Sequence, residues 1–186
     1  MENGIIHTDK IYFRPITIDD IDNGWLEWIN DSNLSKFLSN QNEYTRKDLF
    51  EYVENSDSSR MFAVCLLSND QYIGNARLSS IDWENKRAAY GRLIGVTNLH
   101  GKGIGTEVLA LLAYYAFNIL KLNRIQTGVL SNNIASLKSN DKVGAVREGI
   151  SRQFTYLDGK YEDVIRFGIL KDEFICSEWQ KIILKK

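Results

Sequence analysis

The sequence predicts a mixed α/β protein, and three observations carry that reading. β-rich and helix-periodic segments follow one another in the order β, α, α, three β, α, β, α, two β. The three consecutive β segments are separated by short polar turns, the mark of antiparallel hairpins. In mid-chain, a strand, a long apolar helix and another strand succeed one another, the sequence form of a parallel βαβ step.

Ile11-Tyr12-Phe13-Arg14 reads as the first strand, and Pro15 limits its continuation. Asp19 and Asp20 offer N-cap and first-turn acids to a helix running through Trp28, in which Ile18, Ile21, Trp25, Leu26 and Ile29 recur at helical spacing. Residues 31–44 are polar and loop-like. Thr45 can cap a second helix with an apolar stripe of Leu49, Phe50 and Val53, ending near Asn55-Ser56. Met61 to Leu67 and Tyr72 to Leu78 form a hairpin around Ser68-Asn69-Asp70, and Ala88 to Val96 extends the meander. A helix from about Gly103 to Leu120, a strand at Arg124 to Leu130 and a helix at Ile134 to Val143 follow, the last stopped by Gly144. Two final strands flank a turn at Asp158-Gly159.

A chain of 186 residues fits one domain spanning 1–186, with 171–186 as a C-terminal tail. Charged residues make up 25% and the net charge is −1, so no global field draws the chain to nucleic acid or to an anionic membrane, and neither partner is expected. Met1-Glu2-Asn3-Gly4 lacks the features of a signal peptide, and the apolar run from Val108 to Phe117 is too short to span a bilayer; a soluble cytoplasmic protein is expected. Cys65 reads as core and Cys176 is uninformative. Neither shows pairing or metal-ligand spacing, so no metal site is expected.

The stretch His100-Gly101-Lys102-Gly103-Ile104-Gly105-Thr106-Glu107 concentrates the chemistry. A helix start leaves backbone N–H groups unpaired and carries roughly half a positive charge, so it attracts anions where glycines let the backbone come close. Lys102 adds a full charge. The glycine spacing fits neither the dinucleotide fingerprint nor the nucleotide-hydrolase loop. Two readings stay open on local sequence: a phosphate cradle, or a strand-to-helix turn using glycine for positive φ.

Three further matches stand in order along the chain. Asn133-Ile134-Ala135-Ser136 follows a strand, Lys142-Val143-Gly144-Ala145 closes the next helix, and Val146-Arg147-Glu148-Gly149 leads to Arg152, Asp158-Gly159, Tyr161 and Asp163. With the glycine turn, which matches [Q/R]-x-x-G-x-[G/A] except at His100, these segments resemble the GNAT superfamily of acyl-CoA N-acyltransferases in its RimJ/RimL-type branch, over about Ile11 to Leu170. The resemblance implies a mainly antiparallel central sheet of about seven strands flanked by about four helices. It implies acetyl-CoA as co-substrate, with the diphosphate on the amides of Gly103, Ile104, Gly105 and Thr106 beside His100, Gly101 and Lys102. The pantetheine arm would lie like an added strand in a splay between Leu93-Ile94-Gly95-Val96 and Val129-Leu130-Ser131. Asn133 would bond the pantetheine, and Ser136 would cap its helix or touch the cofactor.

The implied reaction acetylates a primary amine on a small molecule or peptide. An amino-sugar nucleotide is preferred because the Gly149 to Leu170 hairpin resembles such branch members; a protein N-terminus, a polyamine or an antibiotic are alternatives. A monomer or a homodimer is expected. An alkyl ammonium of pKa about 10.4 needs deprotonation before attack, while a thiolate of pKa about 8.5 leaves with less help. Many relatives supply a carboxylate on the fourth strand and a tyrosine on the last helix, where this chain has Ala89 and Asn140. Those departures favour a water relay with catalysis mainly by positioning over a single dedicated acid or base, and Tyr90 and Asp163 are the catalytic candidates, among Arg92, Asp82, His100 and Tyr161 near the expected cleft. Competing readings are core packing for Tyr90, a surface role for His100 and a sheet-edge charge for Asp163. Arg152 could meet an anionic group or pair with Glu148, and Trp25 and Trp28 read as core. Noncatalytic acyl-CoA binding and a nucleotide-binding or structural domain are the alternative classes. A carboxylate introduced by Gly105→Glu is expected to repel phosphate at the cradle.

Overall fold

Nine strands form one sheet in the computed structural model of the chain, which describes residues 6–37, 43–54, 60–157, 159–175, 177–179 and 183–185. The readings at Met1–Gly4, Asn55-Ser56, Asp158 and Cys176 lie outside the described residues. The strands are β1 (Ile6–His7), β2 (Ile11–Pro15), β3 (Arg60–Leu66), β4 (Tyr72–Asp82), β5 (Arg87–Ile94), β6 (Arg124–Leu130), β7 (Val146–Leu157), β8 (Lys160–Leu170) and β9 (Leu184–Lys185). Their order across the sheet is β7-β8-β6-β5-β4-β3-β2-β1-β9. Every neighbouring pair is antiparallel except β5 and β6. The seven expected strands are present, and two two-residue strands extend one edge.

The helices are α1 (Leu26–Asn30), α2 (Ser32–Ser35), α3 (Arg46–Glu54), α4 (Ile104–Tyr114), α5 (Ile134–Val143) and α6 (Lys171–Ile175). Tyr72 and Ile73 are adjacent on β4 and so point to opposite faces. Ile73 joins the large core that α4 and α5 cover, built from Val108, Leu109, Leu111, Leu112, Phe117, Leu137 and Val143 with inward residues of β2 to β6. Tyr72 joins a smaller cluster of Ile21, Trp25 and Leu49 on the other face, under α1 and α3. Helix α4 is buried along nearly its whole length, which is why its sequence is apolar all round. It continues as a π-type turn through Tyr115–Ile119.

The first helical region differs from expectation in two ways. It breaks at Gly24, where φ is 126°, and resumes as α1, because the indole of Trp28 lies against that glycine, 2.6 Å from the position a Cβ would take. Asp20 stands at the N-cap position of the turn through Ile21–Trp25, as expected, but makes no side-chain cap bond to that turn. Its carboxylate instead reaches back to accept the Thr17 N–H at 2.8 Å and the Thr17 hydroxyl at 3.0 Å, and takes a forked ion pair from Arg14 at 2.6 and 2.7 Å. Thr45 and Asp48 form a reciprocal cap at α3, as expected for Thr45. In the loop expected over 31–44, Ser32–Ser35 forms the single turn α2, capped by Asp31. The segment after β8 docks back: Phe174 is buried against Phe117, and β9 pairs with β1.

Candidate active site

The sheet opens at its centre. Parallel pairing of β5 with β6 covers only Arg87↔Arg124, Ala88↔Ile125 and Ala89↔Gln126. Beyond Ala89, β5 stays paired to β4 as far as Ile94, while β6 stays paired to β8 as far as Leu130. The two strands therefore diverge into a V with backbone groups on both walls, a slot shaped to receive an extended chain as an added strand.

The glycine turn stands at the mouth of this V. A single 3-10 turn at Thr97–Leu99 links β5 to it, and Gly103, with φ 85°, is the residue from which α4 starts. No neighbour lies within 4 Å of a Cβ placed at Gly103, so the left-handed backbone is what requires glycine there. The Thr106 and Glu107 amides turn back onto the Gly103 carbonyl at 2.9 and 3.2 Å. The Thr106 amide, expected in the cradle, thus bonds the Gly103 carbonyl. Among the described residues no protein acceptor takes the amides of Gly103, Ile104 and Gly105. Lys102 is exposed beside them, and the buried Glu107 faces away, held by the Thr8 hydroxyl and the Lys10 ammonium, each at 2.6 Å. Gly101 is exposed with φ 78°. The residues present thus suit a diphosphate: free amides, a nearby cation, and the one local carboxylate neutralised.

The strand wall shows one departure. The His100 ring nitrogen Nε2 lies 2.9 Å from the Ile94 carbonyl, so His100 ties the turn to the end of β5 and occupies a group expected to face the pantetheine. The Gly95 N–H bonds the Ile73 carbonyl on the β4 side. Leu93 and Val96 lie along this wall, half-buried. On the opposite wall Asn133, not Ser136, caps α5: its Oδ1 accepts the Ser136 N–H at 3.1 Å.

Tyr90 sits at the apex, one residue past the last β5–β6 pair. Its hydroxyl donates to Asn140 Oδ1 at 2.6 Å, and the Asn140 amide nitrogen donates to the Ser136 carbonyl at 2.8 Å, which fixes the orientation of the amide. Burial pushes the Tyr90 phenol well above its ordinary value, so it holds its proton at neutral pH. Arg92, two residues on, reaches the α5 serines: it donates to Ser139 Oγ and lies 3.5 Å from Ser136 Oγ. Its guanidinium is also 3.2 Å from the position of a Gly105 Cβ. A side chain at Gly105 would therefore meet Arg92.

Asp163 stands on the far wall, where its carbonyl accepts the Ser131 N–H at 2.9 Å just past the end of β6. Its Oδ1 accepts the Gln153 N–H at 2.7 Å, and Asp163, Gln153 and Arg152 line a cavity of about 580 Å³. Glu148 pairs with Arg124 instead of Arg152, which leaves Arg152 in the cavity wall. Two candidates stand elsewhere. Asp82 is tied to Asn85 and Arg87 in the β4–β5 turn, and Tyr161 is exposed on the β7–β8 hairpin against Tyr156. Sequence reasoning placed Arg92 near the cleft without a role; its contact with Gly105 is long-range and has no local signal.

The open V, the amide cradle at its mouth and the polar cavity beyond define a site for a nucleotide-borne extended donor and a second substrate, the arrangement of an acyl-CoA transferase. Residues 10–146 match the acetyltransferase (GNAT) domain family, and the chain belongs to that family. It is 33% identical to the probable N-acetyltransferase YjcK of Bacillus subtilis, over 88% of this chain and 95% of that protein. It is 24% identical to the spermidine N(1)-acetyltransferase of Vibrio cholerae, over 86% of this chain and 95% of that one. A spermidine N-acetyltransferase structure from Vibrio cholerae, in complex with CoA and spermine, shares the fold with a TM-score of 0.81 at 22% identity, covering 89% of this chain and 98% of the other. The protein is an acetyl-CoA-dependent N-acetyltransferase. Among the described residues no helix is long and apolar enough to cross a membrane.

Proposed function

We propose that this enzyme, within the RimJ/RimL-type branch, acetylates a primary amine on a small molecule that also carries an anionic group, an amino-sugar nucleotide being the preferred class. The observation that carries this reading is the cavity whose described lining brings Arg152, a cation, together with Asp163, a carboxylate. A cation and a carboxylate side by side suit a phosphate and an amine on one molecule.

Acetyl-CoA supplies an acetyl thioester, from which the amine takes the acetyl group as the C–S bond breaks. In this reading Gly103, Ile104 and Gly105 hold the diphosphate through their amides, with Lys102 beside them. Leu93, Ile94 and Val96 guide the arm through their backbone, and Asn133 and Ser136 border it. The free Oδ2 of Asp163 orients the ammonium and accepts its proton, while the Tyr90 hydroxyl donates one to the departing sulfur. Catalysis then rests mainly on positioning two substrates across the V.

The test is release of free CoA thiol with a panel of amino-sugar nucleotides, polyamines and peptide N-termini. The highest kcat/KM is expected with an amino-sugar nucleotide. Arg152→Ala should raise KM for that acceptor and leave KM unchanged for the same amino sugar without its nucleotide. The relatives named for spermidine favour a second reading, polyamine acetylation, and a clear preference for spermidine in the panel would replace the first.

A further inference from the structure

The inner side of the cradle is positive and unbalanced. Arg92 extends from β5 into the gap between α4 and α5, where its guanidinium meets Gly105 in the first turn of α4 and Ser136 in the first turn of α5. Both helix starts carry partial positive charge, so a cation placed between them is repelled by each. Its hydrogen-bond partners Ser139 and Ser136 are neutral. Among the described residues no carboxylate lies within salt-bridge distance of it; Glu107 on α4 is engaged with Lys10, and Asp141 on α5 with Arg147. Burial lowers Arg92 to about 10, with the neighbouring Tyr90 acting in the opposite sense, so it remains charged at neutral pH.

A half-buried guanidinium with no carboxylate beside it leaves its charge uncompensated unless an anion joins it. We infer that Arg92 is a cofactor-binding residue, its guanidinium serving as counter-charge to the acetyl-CoA diphosphate seated on the Gly103, Ile104 and Gly105 amides. An arginine fork fits paired phosphate oxygens, and two serines on the following helix hold it in place. The assignment rests on acetyl-CoA as donor.

Titration calorimetry of Arg92→Leu and Arg92→Lys with CoA and with S-acetylpantetheine, which lacks the diphosphate, tests it, together with thermal unfolding of the ligand-free proteins. For Arg92→Leu the Kd for CoA should rise about 10- to 100-fold, the loss expected for a charge-assisted hydrogen bond, with a weaker salt dependence. Affinity for S-acetylpantetheine should stay within about twofold. The ligand-free leucine variant should melt no lower than the unmodified protein, because a half-buried guanidinium without a carboxylate partner has been replaced by packing. Arg92→Lys, which keeps the charge, should recover part of the CoA affinity, and it decides the matter if the leucine variant does not fold. Unchanged CoA affinity in a folded variant, or an equal loss toward both ligands, would overturn the assignment. Failure of the unmodified protein to bind CoA would instead overturn the donor reading on which it rests.

Discussion

At the scale of single residues, the Tyr90–Asn140 pair shows how a change on a helix can be answered from a strand. The hydroxyl reaches α5 from β5 and stands at the apex of the V. Tyr90→Phe removes one hydroxyl without changing the ring packing. The expected result is a fall in kcat of about 100-fold, typical for loss of a general acid, with KM for acetyl-CoA nearly unchanged. A kcat close to the original would reduce Tyr90 to a core residue. The Arg14–Asp20 fork is a purely structural counterpart. Burial alone would raise the Asp20 carboxyl, but the Arg14 fork and the Thr17 amide together outweigh it and hold the group below its ordinary 3.8. A depressed folded value stabilises the protein above the unfolded pKa, and that stability is lost as pH falls through the folded pKa. Asp20→Asn should therefore cost about 3 kcal/mol in denaturant unfolding at pH 7. The gap from the unmodified protein should shrink only below about pH 4.

At the scale of elements, close approach of backbone and ring decides the shape of the site. The Trp28 indole lies over Gly95, and a Cβ there would fall 1.8 Å from the ring, far inside contact distance. Gly95→Ala should displace Trp28 and destabilise the fold by about 2–3 kcal/mol, the cost of overpacking. Adding Trp28→Leu should recover much of it in a double-mutant cycle. Lys102→Glu tests the cradle itself. The side chain is exposed and its loss should leave the melting temperature unchanged, while reversal of charge beside the free amides should raise KM for acetyl-CoA about tenfold. These elements also show what pattern conveys. Arg124 to Leu130 and Ile134 to Val143 have the bounds read from sequence, because Gly144 with φ 89° and the Asn133 cap are local signals. The break at Gly24 was hidden because Ile18, Ile21, Trp25, Leu26 and Ile29 keep helical spacing across it. β1 and β9 are too short to hold a pattern, and the Arg92–Gly105 contact depends on the meeting of distant elements.

At the scale of the whole molecule, the sheet consists of two paired blocks, β9 through β5 on one side and β6 through β7 on the other, joined by three parallel pairs and by the helices across one face. A seam this short is where local opening should be easiest, since the backbone groups beyond Ala89 and Gln126 have no partner strand across the V. A ligand that binds only the folded state and lies in the V bonds both walls, so its effect should be local as well as global. Acetyl-CoA at 100 times its Kd should add about 2.7 kcal/mol, which for a chain of this size is a rise in melting temperature of about 5–10 °C. Native-state hydrogen exchange gives the spatial form of the same prediction. Protection should increase most at Leu93 to Val96, at Gly103 to Gly105 and at Val129 to Ser131, and less at β2 and β3, whose hydrogen bonds lie away from the seam and report only the global gain. Uniform protection across the sheet would mean that the ligand acts only through global stability. Protection confined to the Gly103 turn would place the diphosphate but remove the pantetheine arm from the V.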